Sequence, residues 1–501
     1  MISQFLISLQ ANIFPVLILA VILFFALLIV FYTQKTHLVI IALLVWYPLE
    51  SFLFNFISLD YFLFFKYFPE FLLYLTVFIS WILYVYKNKK IFPKNPLNKY
   101  FLFFIAIGLL SWILNQYSFW IFALGLRQLL RFSFVFWLII LEDYNERIVK
   151  NILFWVGGVM GFEAVLGLVQ YLSAGALDRY LFFENAFGVA RHYLGELPQF
   201  WAPGTRVFAT LGRYDQLGSF LILGLILLLS VFYAYSREQN NTARFKKFHL
   251  LIAGLLGVIT LVLTYSRASW LAFLTAVFVL GFILQKDKKI IKVFLGLVVA
   301  GALYLGFFIL TYDNSILRIT DKPRASLAER VLEITSPESL KRGYEGFGRI
   351  FFLINTPLKV VPTSPLWGVG LGNYGGGVVA SLNNTEVYDR LHLPFGIQNF
   401  YGQIDNNWFA IWGEVGTLGL VVWGLIFFQI GKVAWEVAQK DDFAGKILGS
   451  TVLGITTGIC ILGFFGPYFE FRSLMFYFWL LTGLMFLYWR KHKNKSNFLK
   501  I

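Results

Sequence analysis

The sequence is poor in charge, cysteine and histidine, and each shortage excludes a class of protein. Charged residues make up 14% of the 501 positions, whereas a typical soluble domain has about 25%. The single cysteine, Cys460, excludes disulfide bonds within the chain and metal sites built from several cysteines. The five histidines are scattered and form no zinc-binding motif. We therefore predict neither a metal site nor a cofactor.

Apolar residues take the place of the missing charge. They make up 58% of the chain, and many runs of about 20 are long enough to cross a bilayer core of roughly 30 Å as a helix. In lipid the backbone finds no water to bond, so a spanning segment must be helical or part of a closed barrel. Since the runs are continuous rather than alternating, the sequence predicts an all-α integral membrane protein.

The apolar runs predict twelve or thirteen transmembrane helices. The first run has no basic residue before it and no Ala-x-Ala cleavage pattern, so we interpret it as a retained span rather than a signal peptide. Pro48, Lys66 and Glu70 interrupt the early runs, which leaves the count open and allows one re-entrant piece. The predicted spans are 12–32, 37–58, 69–86, 99–116, 119–141, 148–172, 211–235, 249–265, 268–284, 291–311, 406–431, 447–467 and 470–490.

Basic residues between the runs predict the orientation. Four basic segments, 87–99, 244–247, 286–289 and 490–495, fall on one side if the spans alternate. Lysine and arginine are enriched in cytoplasmic loops, so this side is predicted to be the cytoplasm of a cytoplasmic (inner) membrane. The same loops explain the net charge of +15, and we expect the lipid bilayer rather than nucleic acid as the partner.

Two long segments, 173–206 and 312–404, lie on the opposite face in this topology. The second is too polar to span and longer than an ordinary connection. Its residues 324–342 and 347–361 predict short amphipathic helices, the latter at the membrane surface. The predicted organisation is ten spans in 1–311, a large extracytoplasmic loop in 312–404, and three spans with a basic tail in 405–501.

Arg267 is the only charged residue between positions 250 and 284. An arginine at the bilayer centre costs about 2.5–3.5 kcal/mol on insertion scales, so its presence requires a reason. The stretch is just long enough to cross the membrane twice, which predicts that Arg267 lies at the tip of a tight outward turn. Its side chain then binds either lipid headgroups or an anionic ligand.

Other polar residues face outward in the same topology. Arg206, with Arg213 after it, stands at the mouth of one span, and Asp405 opens another. Headgroup binding by Arg206 and helix capping by Asp405 are the alternatives to a functional role. The glycine-rich segment 368–377 lacks the strand–turn–helix context of a nucleotide loop, so we interpret its glycines as turn formers.

Arg127 and Arg131 lie one turn apart inside a predicted span. Charged residues in such positions are usually paired inside the helix bundle. By sign alone, Glu163 and Glu50 are their candidate partners.

The outward arginines and the carboxylate together predict a binding site. An arginine fork donates two parallel charge-assisted hydrogen bonds and stays protonated, which suits a diphosphate. A cationic pocket at the outer membrane surface suits a lipid-linked diphosphate in particular. The carboxylate would deprotonate an acceptor hydroxyl.

Four blocks in order between about residues 200 and 425 resemble the O-antigen ligase and O-antigen polymerase family of polytopic membrane glycosyltransferases. The blocks are RVFATLG…GSFL at 206–221, TYSRASWL at 264–271, PLWGVGLGNY at 365–374 and DNNWF…EVGTLGL at 405–420. The resemblance implies a metal-independent, inverting transfer of a glycan from undecaprenyl diphosphate to a glycan, lipid or protein acceptor.

The resemblance also implies roles for individual residues. Arg206 and Arg267 would hold the diphosphate with help from Arg213, and the residue at position 405 would activate the acceptor. Ligases usually have histidine there, so Asp405 favours a polymerase or a transferase to another acceptor, and His392 is the alternative base. The remaining supporting candidates are Asn406, Arg349 and Arg127.

The main rival prediction is a polytopic lipid or polysaccharide transporter or flippase. Such proteins are built from inverted repeats and broken helices near the membrane midplane. The sequence shows no internal repeat, and its longest loop divides the spans ten to three, which favours the enzyme.

Overall fold

The protein is a bundle of long α-helices, and no β-strand occurs in the part of the chain that the structure describes. The computed structural model describes residues 35–57, 59–181, 204, 206–236, 241–311, 340–341, 344, 349–393, 406–440 and 442–498. The predicted all-α membrane fold is confirmed. The predicted span 12–32, most of the helix predicted at 324–342, and Asp405 lie outside the described residues.

Each long helix overlaps a predicted span, although the helices that begin at Leu59 and Asn241 start ten and eight residues before the predicted positions. In chain order the helices are α1 (His37–Leu53), α2 (Leu59–Asn88), α3 (Asn98–Asn115), α4 (Phe119–Leu130), α5 (Ser133–Glu142), α6 (Glu146–Leu172), α7 (Asp178–Leu181), α8 (Tyr214–Ser236), α9 (Asn241–Leu263), α10 (Arg267–Phe278), α11 (Lys288–Thr311), α12 (Arg349–Asn355), α13 (Gly377–Leu382), α14 (Glu386–Arg390), α15 (Asn407–Ala438), α16 (Phe443–Leu462) and α17 (Arg472–Phe498). Within the described ranges, nine helices are long and apolar enough to cross a membrane, and the bent pair α4–α5 is a tenth candidate.

Polar residues end these helices and make short turns. The Asn145 side chain caps α6 by accepting a hydrogen bond from the Ile148 N–H, and Asp442 caps α16 by accepting one from Gly445. Gln116 and Asp143 end α3 and α5 with φ of 51° and 50°, respectively. Short connections of this kind join α3 to α4 and α5 to α6.

The last helix, α17, forms the centre of the bundle. Every residue from Ser473 to Leu487 in α17 is buried. Small residues allow close approach of neighbouring helices, as membrane packing requires: a Cβ on Gly483 would lie 3.2 Å from Phe136 Cα, and one on Gly449 2.2 Å from Ala438 N. The central core therefore holds α17 against α5, and α15 against α16.

The α4–α5 span is broken by a bend of 63°. The freed carbonyl of Leu130 accepts a hydrogen bond from the Ser133 hydroxyl at 2.7 Å. Arg131 lies in the break between the two helices. A break in a membrane helix is tolerated where its polar groups find new partners; the Leu130 carbonyl finds one in Ser133, and the charge of Arg131 is paired as described below.

A second, smaller core lies in the segment after residue 348. It contains the aromatic rings of Phe352, Tyr374 and Tyr388. The Tyr374 hydroxyl lies 2.8 Å from the Thr356 hydroxyl, and the Tyr388 hydroxyl accepts a hydrogen bond from the Gly375 N–H at 3.0 Å. Burial raises the pKa of both tyrosines, so each hydroxyl keeps its proton at neutral pH.

The helix predicted at 347–361 is present. It consists of α12 followed by a short π-helix at Thr356–Val360. It buries Phe351 and Phe352 against the small core. Leu353 and Leu358 are 48% and 70% exposed on its other side. The helix is therefore amphipathic, and its buried face contacts the protein; its placement at a membrane surface remains a prediction.

The glycine-rich segment forms turns, as predicted. Gly368, Gly370, Gly372 and Gly375 all have positive φ. The segment pairs with the start of α15 through backbone hydrogen bonds of 2.9 Å from Val369 N to Gly413 O, from Gly370 N to Glu414 O and from Thr417 N to Pro365 O. The helix α15 is interrupted where this pairing occurs.

Gly416 makes the interruption possible, and its replacement tests the arrangement. Its φ of 64° and ψ of −171° are accessible essentially only to glycine, and a Cβ there would lie 2.4 Å from Leu366 C. We expect Gly416→Ala to destabilise the protein by at least about 1–3 kcal/mol, measured by thermal unfolding in detergent. Gly424→Ala is the matched control on the same helix, because a Cβ there meets no atom within 4 Å. An unchanged melting temperature for Gly416→Ala would contradict this account of the kink.

Candidate functional site

Arg267 is the first residue of α10, after a tight turn that starts where α9 ends. The turn is built locally: the Thr264 hydroxyl donates to Leu261 O at 2.6 Å and accepts from Ser266 N at 3.2 Å, and Tyr265 has φ of 54°. Arg267 is half-buried. Its predicted position at the tip of a turn between two spans is therefore correct, while the side of the membrane remains a prediction.

Arg206 lies in an irregular segment that leads, through a short 3-10 turn at Ala209–Leu211, into α8. Its guanidinium carbon is 3.9 Å from the centre of the Tyr214 ring, which is a cation–π contact. The next residue, Val207, donates a backbone hydrogen bond of 3.3 Å to Leu263 O. Since Leu263 ends α9, this bond joins the Arg206 segment to the turn that carries Arg267.

Buried polar side chains of α6 hold the Arg206 segment. Gln170 Oε1 accepts hydrogen bonds from the N–H groups of Phe208 and Ala209, each at 2.9 Å. Glu163 accepts from both the backbone N–H and the hydroxyl of Thr210. The prediction that Glu163 pairs with an arginine of the bundle was therefore wrong, because its carboxylate binds this segment instead.

Arg213 forms a two-pronged ion pair with Asp215. Its Nε and Nη2 donate to the two carboxylate oxygens at 3.0 and 2.8 Å. Its guanidinium carbon also lies 5.8 Å from the centre of the Phe471 ring, just before α17. The charge of Arg213 is thus partly balanced within the protein, and its role towards a ligand stays a prediction.

The start of α15 is fixed by two buried asparagines. The Asn406 side chain accepts from Phe409 N at 3.1 Å, so Asn406 is the N-cap; the alternative that Asp405 caps this helix was wrong. Asn407 donates from its backbone N–H to Gly463 O at 2.8 Å, and its side chain accepts from Phe469 N at 2.8 Å. These bonds tie Asn407, two residues after Asp405, to the turn between α16 and α17.

His392 and Arg349 lie on the segment that carries the small core rather than within the long helices. His392 follows α14, is exposed and has φ of 50°. Arg349 is the first residue of α12. Their proposed roles as base and supporting cation therefore depend on where this segment lies relative to a bound substrate.

Arg127 belongs to a buried ionic cluster that the sequence did not reveal. Glu70 of α2 binds Arg127, Arg131 and Arg472; its contacts with Arg131 and Arg472 are 3.3 and 2.8 Å. Arg472 also binds Glu50, at 2.8 Å. The predicted pairing of Arg127 and Arg131 within the bundle is correct, but the partner is Glu70 rather than Glu163 or Glu50.

The glycine-rich segment docks on two glutamates and a glutamine. Glu414 Oε1 accepts from Gly372 N at 2.9 Å, Glu470 Oε2 accepts from Gly377 N at 3.1 Å, and Gln128 Oε1 accepts from Val378 N at 2.8 Å. The three side chains line a small cavity with Asn407 and Gly376. Glu470 is also linked to the ionic cluster, because Arg131 donates to its backbone oxygen at 2.6 Å.

The structure thus brings the predicted residues together only in part. It joins Arg206 to the turn of Arg267 and brings Arg213 to Phe471, whose neighbours in sequence are Glu470 and Arg472. The sequence did not reveal the roles of Glu470, Gln128 and Gln170, and it suggested the wrong kind of partner for Glu163, because each residue lies in or beside an apolar run. The spacing of seven residues between Glu163 and Gln170 places both on one face of α6. This spacing is the feature of the sequence that could have indicated their shared role.

Comparison with known proteins supports the family suggested by the sequence blocks. Residues 250–424 match the family model described as O-Antigen ligase. The matched region runs from α9 into α15, and so includes the Arg267 turn, the glycine-rich segment and Glu414. No curated protein matches the chain. The family match and the polytopic all-α fold together support the assignment of the chain to the O-antigen ligase family.

Proposed function

We propose that the protein is an inverting glycosyltransferase that moves a glycan from undecaprenyl diphosphate to an acceptor at the outer face of the cytoplasmic membrane. The family supports a transferase of the O-antigen ligase or polymerase type in a multi-pass membrane protein. The observation that carries the finer proposal is the hydrogen bond from Val207 N to Leu263 O. It keeps the backbone next to Arg206 against the end of the helix that leads to Arg267.

Two arginines held in this way suit the leaving group of the reaction. The acceptor oxygen attacks the anomeric carbon while the bond from that carbon to the diphosphate oxygen breaks. The electron pair of the broken bond stays on undecaprenyl diphosphate, where Arg206 and Arg267 stabilise the developing charge. Displacement in one step inverts the anomeric centre. Because the arginines neutralise the diphosphate, the proposed reaction requires no metal ion.

The acceptor must lose a proton as its oxygen attacks. We assign this proton to the Asp405 carboxylate, with His392 as the alternative base. Asp405 immediately precedes the Asn406 cap, whose neighbour Asn407 is bonded to Gly463 and Phe469. An acidic residue here, in place of the family's usual histidine, favours a polymerase or a transferase to an acceptor other than the usual one of ligases.

A transporter is the second candidate, and the bend of 63° between α4 and α5 is the observation that favours it. Broken helices are typical of transporters, in which they form the substrate site. In this bundle, Arg131 at the break is bonded to Glu70 and to the Glu470 backbone, which suits a structural joint. Movement of a lipid-linked glycan across liposomes without any glycan transfer would favour the transporter.

Replacement of the arginines tests the proposed diphosphate site. We expect Arg267→Ala and Arg206→Ala each to lower the kcat of glycan transfer by about 10²–10³-fold, the usual effect of removing one charge-stabilising donor. Arg267→Lys should retain part of the activity, since it keeps the charge but loses the planar fork. Arg147→Ala is the control, because Arg147 is exposed and lies near the start of α6, at the other end from Gln170. Normal transfer by folded Arg267→Ala protein would overturn the role of this residue.

Two further variants distinguish the candidate bases. We expect Asp405→Asn to lower kcat by about 10²–10⁴-fold, as loss of a general base does. His392→Ala should leave kcat almost unchanged, because His392 is exposed on the loop segment. The measurement is the rate of glycan transfer from a lipid-linked oligosaccharide. A nearly silent Asp405→Asn beside an inactive His392→Ala would move the assignment to His392.

Cysteine labelling tests the proposed orientation. In a Cys460→Ser background, Ser381→Cys and Asn88→Cys introduce thiols at exposed positions of α13 and at the end of α2. We expect a membrane-impermeant maleimide to label the thiol at position 381 in intact cells or spheroplasts. The thiol at position 88 should react only after permeabilisation, because it lies among the basic residues predicted to be cytoplasmic. The opposite labelling pattern would reverse the topology.

A further inference from the structure

Gln170 on α6 and Asp178 on α7 form a buried pair under the segment that carries Arg206. Gln170 Nε2 donates to Asp178 Oδ1 at 2.8 Å, and the residues are 1% and 7% exposed. A carboxylate only accepts hydrogen bonds, so the amide NH₂ must face Asp178 and the amide oxygen must face the other way. This fixes the side-chain orientation of Gln170.

The pair holds the backbone on both sides of Arg206. Gln170 Oε1 accepts from the N–H groups of Phe208 and Ala209, and Asp178 Oδ2 accepts from Gly204 N at 2.9 Å. Arg206 lies between these attachment points. A side chain whose backbone is fixed in this way loses less entropy on binding a ligand, and it is already oriented for the reaction.

The same face of α6 also supports the helix before Arg267. The Ala164 carbonyl accepts a hydrogen bond from the Thr260 hydroxyl of α9 at 2.9 Å. A Cβ on Gly167 would lie 2.6 Å from Thr260 Cγ2, so the two helices are in close contact there. One face of α6 therefore sets the position of the Arg206 segment and of the helix that leads to Arg267.

We propose that Gln170, fixed by Asp178, is a positioning residue that orients Arg206 towards the diphosphate of the donor. The proposal rests on the proposed function, since it assumes that Arg206 binds a diphosphate. The proposal adds a requirement beyond the presence of Arg206. The side chain at position 170 must accept hydrogen bonds from the backbone after Arg206, and it must also be hydrogen-bonded to the side chain at position 178.

Exchange of the two functional groups tests the pair. Gln170→Glu alone places two carboxylates against each other, so we expect kcat/KM to fall by about 10- to 100-fold through misplacement of Arg206. Gln170→Glu combined with Asp178→Asn restores the pattern, because the new carboxylate accepts from the backbone and the new amide donates to it. The double variant should recover most of the lost activity. Ser230→Ala, which removes a buried hydroxyl bonded only within α8, is the control for loss of a buried polar group.

Two further measurements separate positioning from a purely structural role. Amide hydrogen exchange across residues 204–211 should rise in Gln170→Glu and return to the wild-type rate in the double variant. Affinity for undecaprenyl diphosphate in detergent should fall with Gln170→Glu, but not fall further when Gln170→Glu is added to Arg206→Ala.

The outcomes distinguish the two proposals. If Arg206→Ala loses affinity for undecaprenyl diphosphate while Gln170→Glu keeps it, the positioning role is overturned and the proposed function stands. Failure of the double variant to recover activity despite normal folding also overturns it. If the wild-type protein does not bind undecaprenyl diphosphate at all, the proposed function fails, and the assignment of Gln170 fails with it.

Discussion

The helix bundle depends on the ion pairs of one buried carboxylate, Glu70, with three arginines. This carboxylate is 2% exposed and binds three arginines from α4, the α4–α5 break and α17. A charge removed from water is strongly unfavourable unless it is paired and hydrogen-bonded. Loss of Glu70 would remove the carboxylate that all three arginines share. Loss of one arginine would still leave Glu70 paired with the other two. The cluster therefore joins helices far apart in the sequence, and it lies next to the Glu470 turn.

Two sets of hydrogen bonds then position the candidate site on this frame. One set runs from Glu163 and Gln170 of α6 to the segment around Arg206. The other runs from Glu414, Glu470 and Gln128 to the glycine-rich segment. In both sets, buried or half-buried side-chain acceptors bind backbone N–H groups of irregular segments, as backbone groups within a membrane protein require. Polar residues that look isolated in the sequence thus shape the two non-helical segments near the proposed chemistry.

The sequence predicted the helices well because membrane helices follow from local composition. A run of about 20 apolar residues defines a span without knowledge of its neighbours, and α3 and α6 begin and end within two residues of their predicted bounds. The partners of buried charges depend on packing between distant helices, which a single sequence does not reveal. For this reason Glu70 was overlooked as the partner of Arg127, and Glu163 was assigned to the wrong kind of partner. The alternative that Asp405 caps α15 was wrong by one residue, because asparagine and aspartate cap helices about equally well and Asn406 is the cap.

The most direct test of the account is product analysis after incubation of the purified protein with a lipid-linked oligosaccharide and a candidate acceptor. The account predicts a new glycosidic bond of inverted anomeric configuration and the release of one undecaprenyl diphosphate for each bond formed, without added metal ions. Nuclear magnetic resonance of the product and mass spectrometry of the lipid measure both results. A retained anomeric configuration, or a folded protein that binds the donor but releases no undecaprenyl diphosphate with any acceptor, would contradict the account.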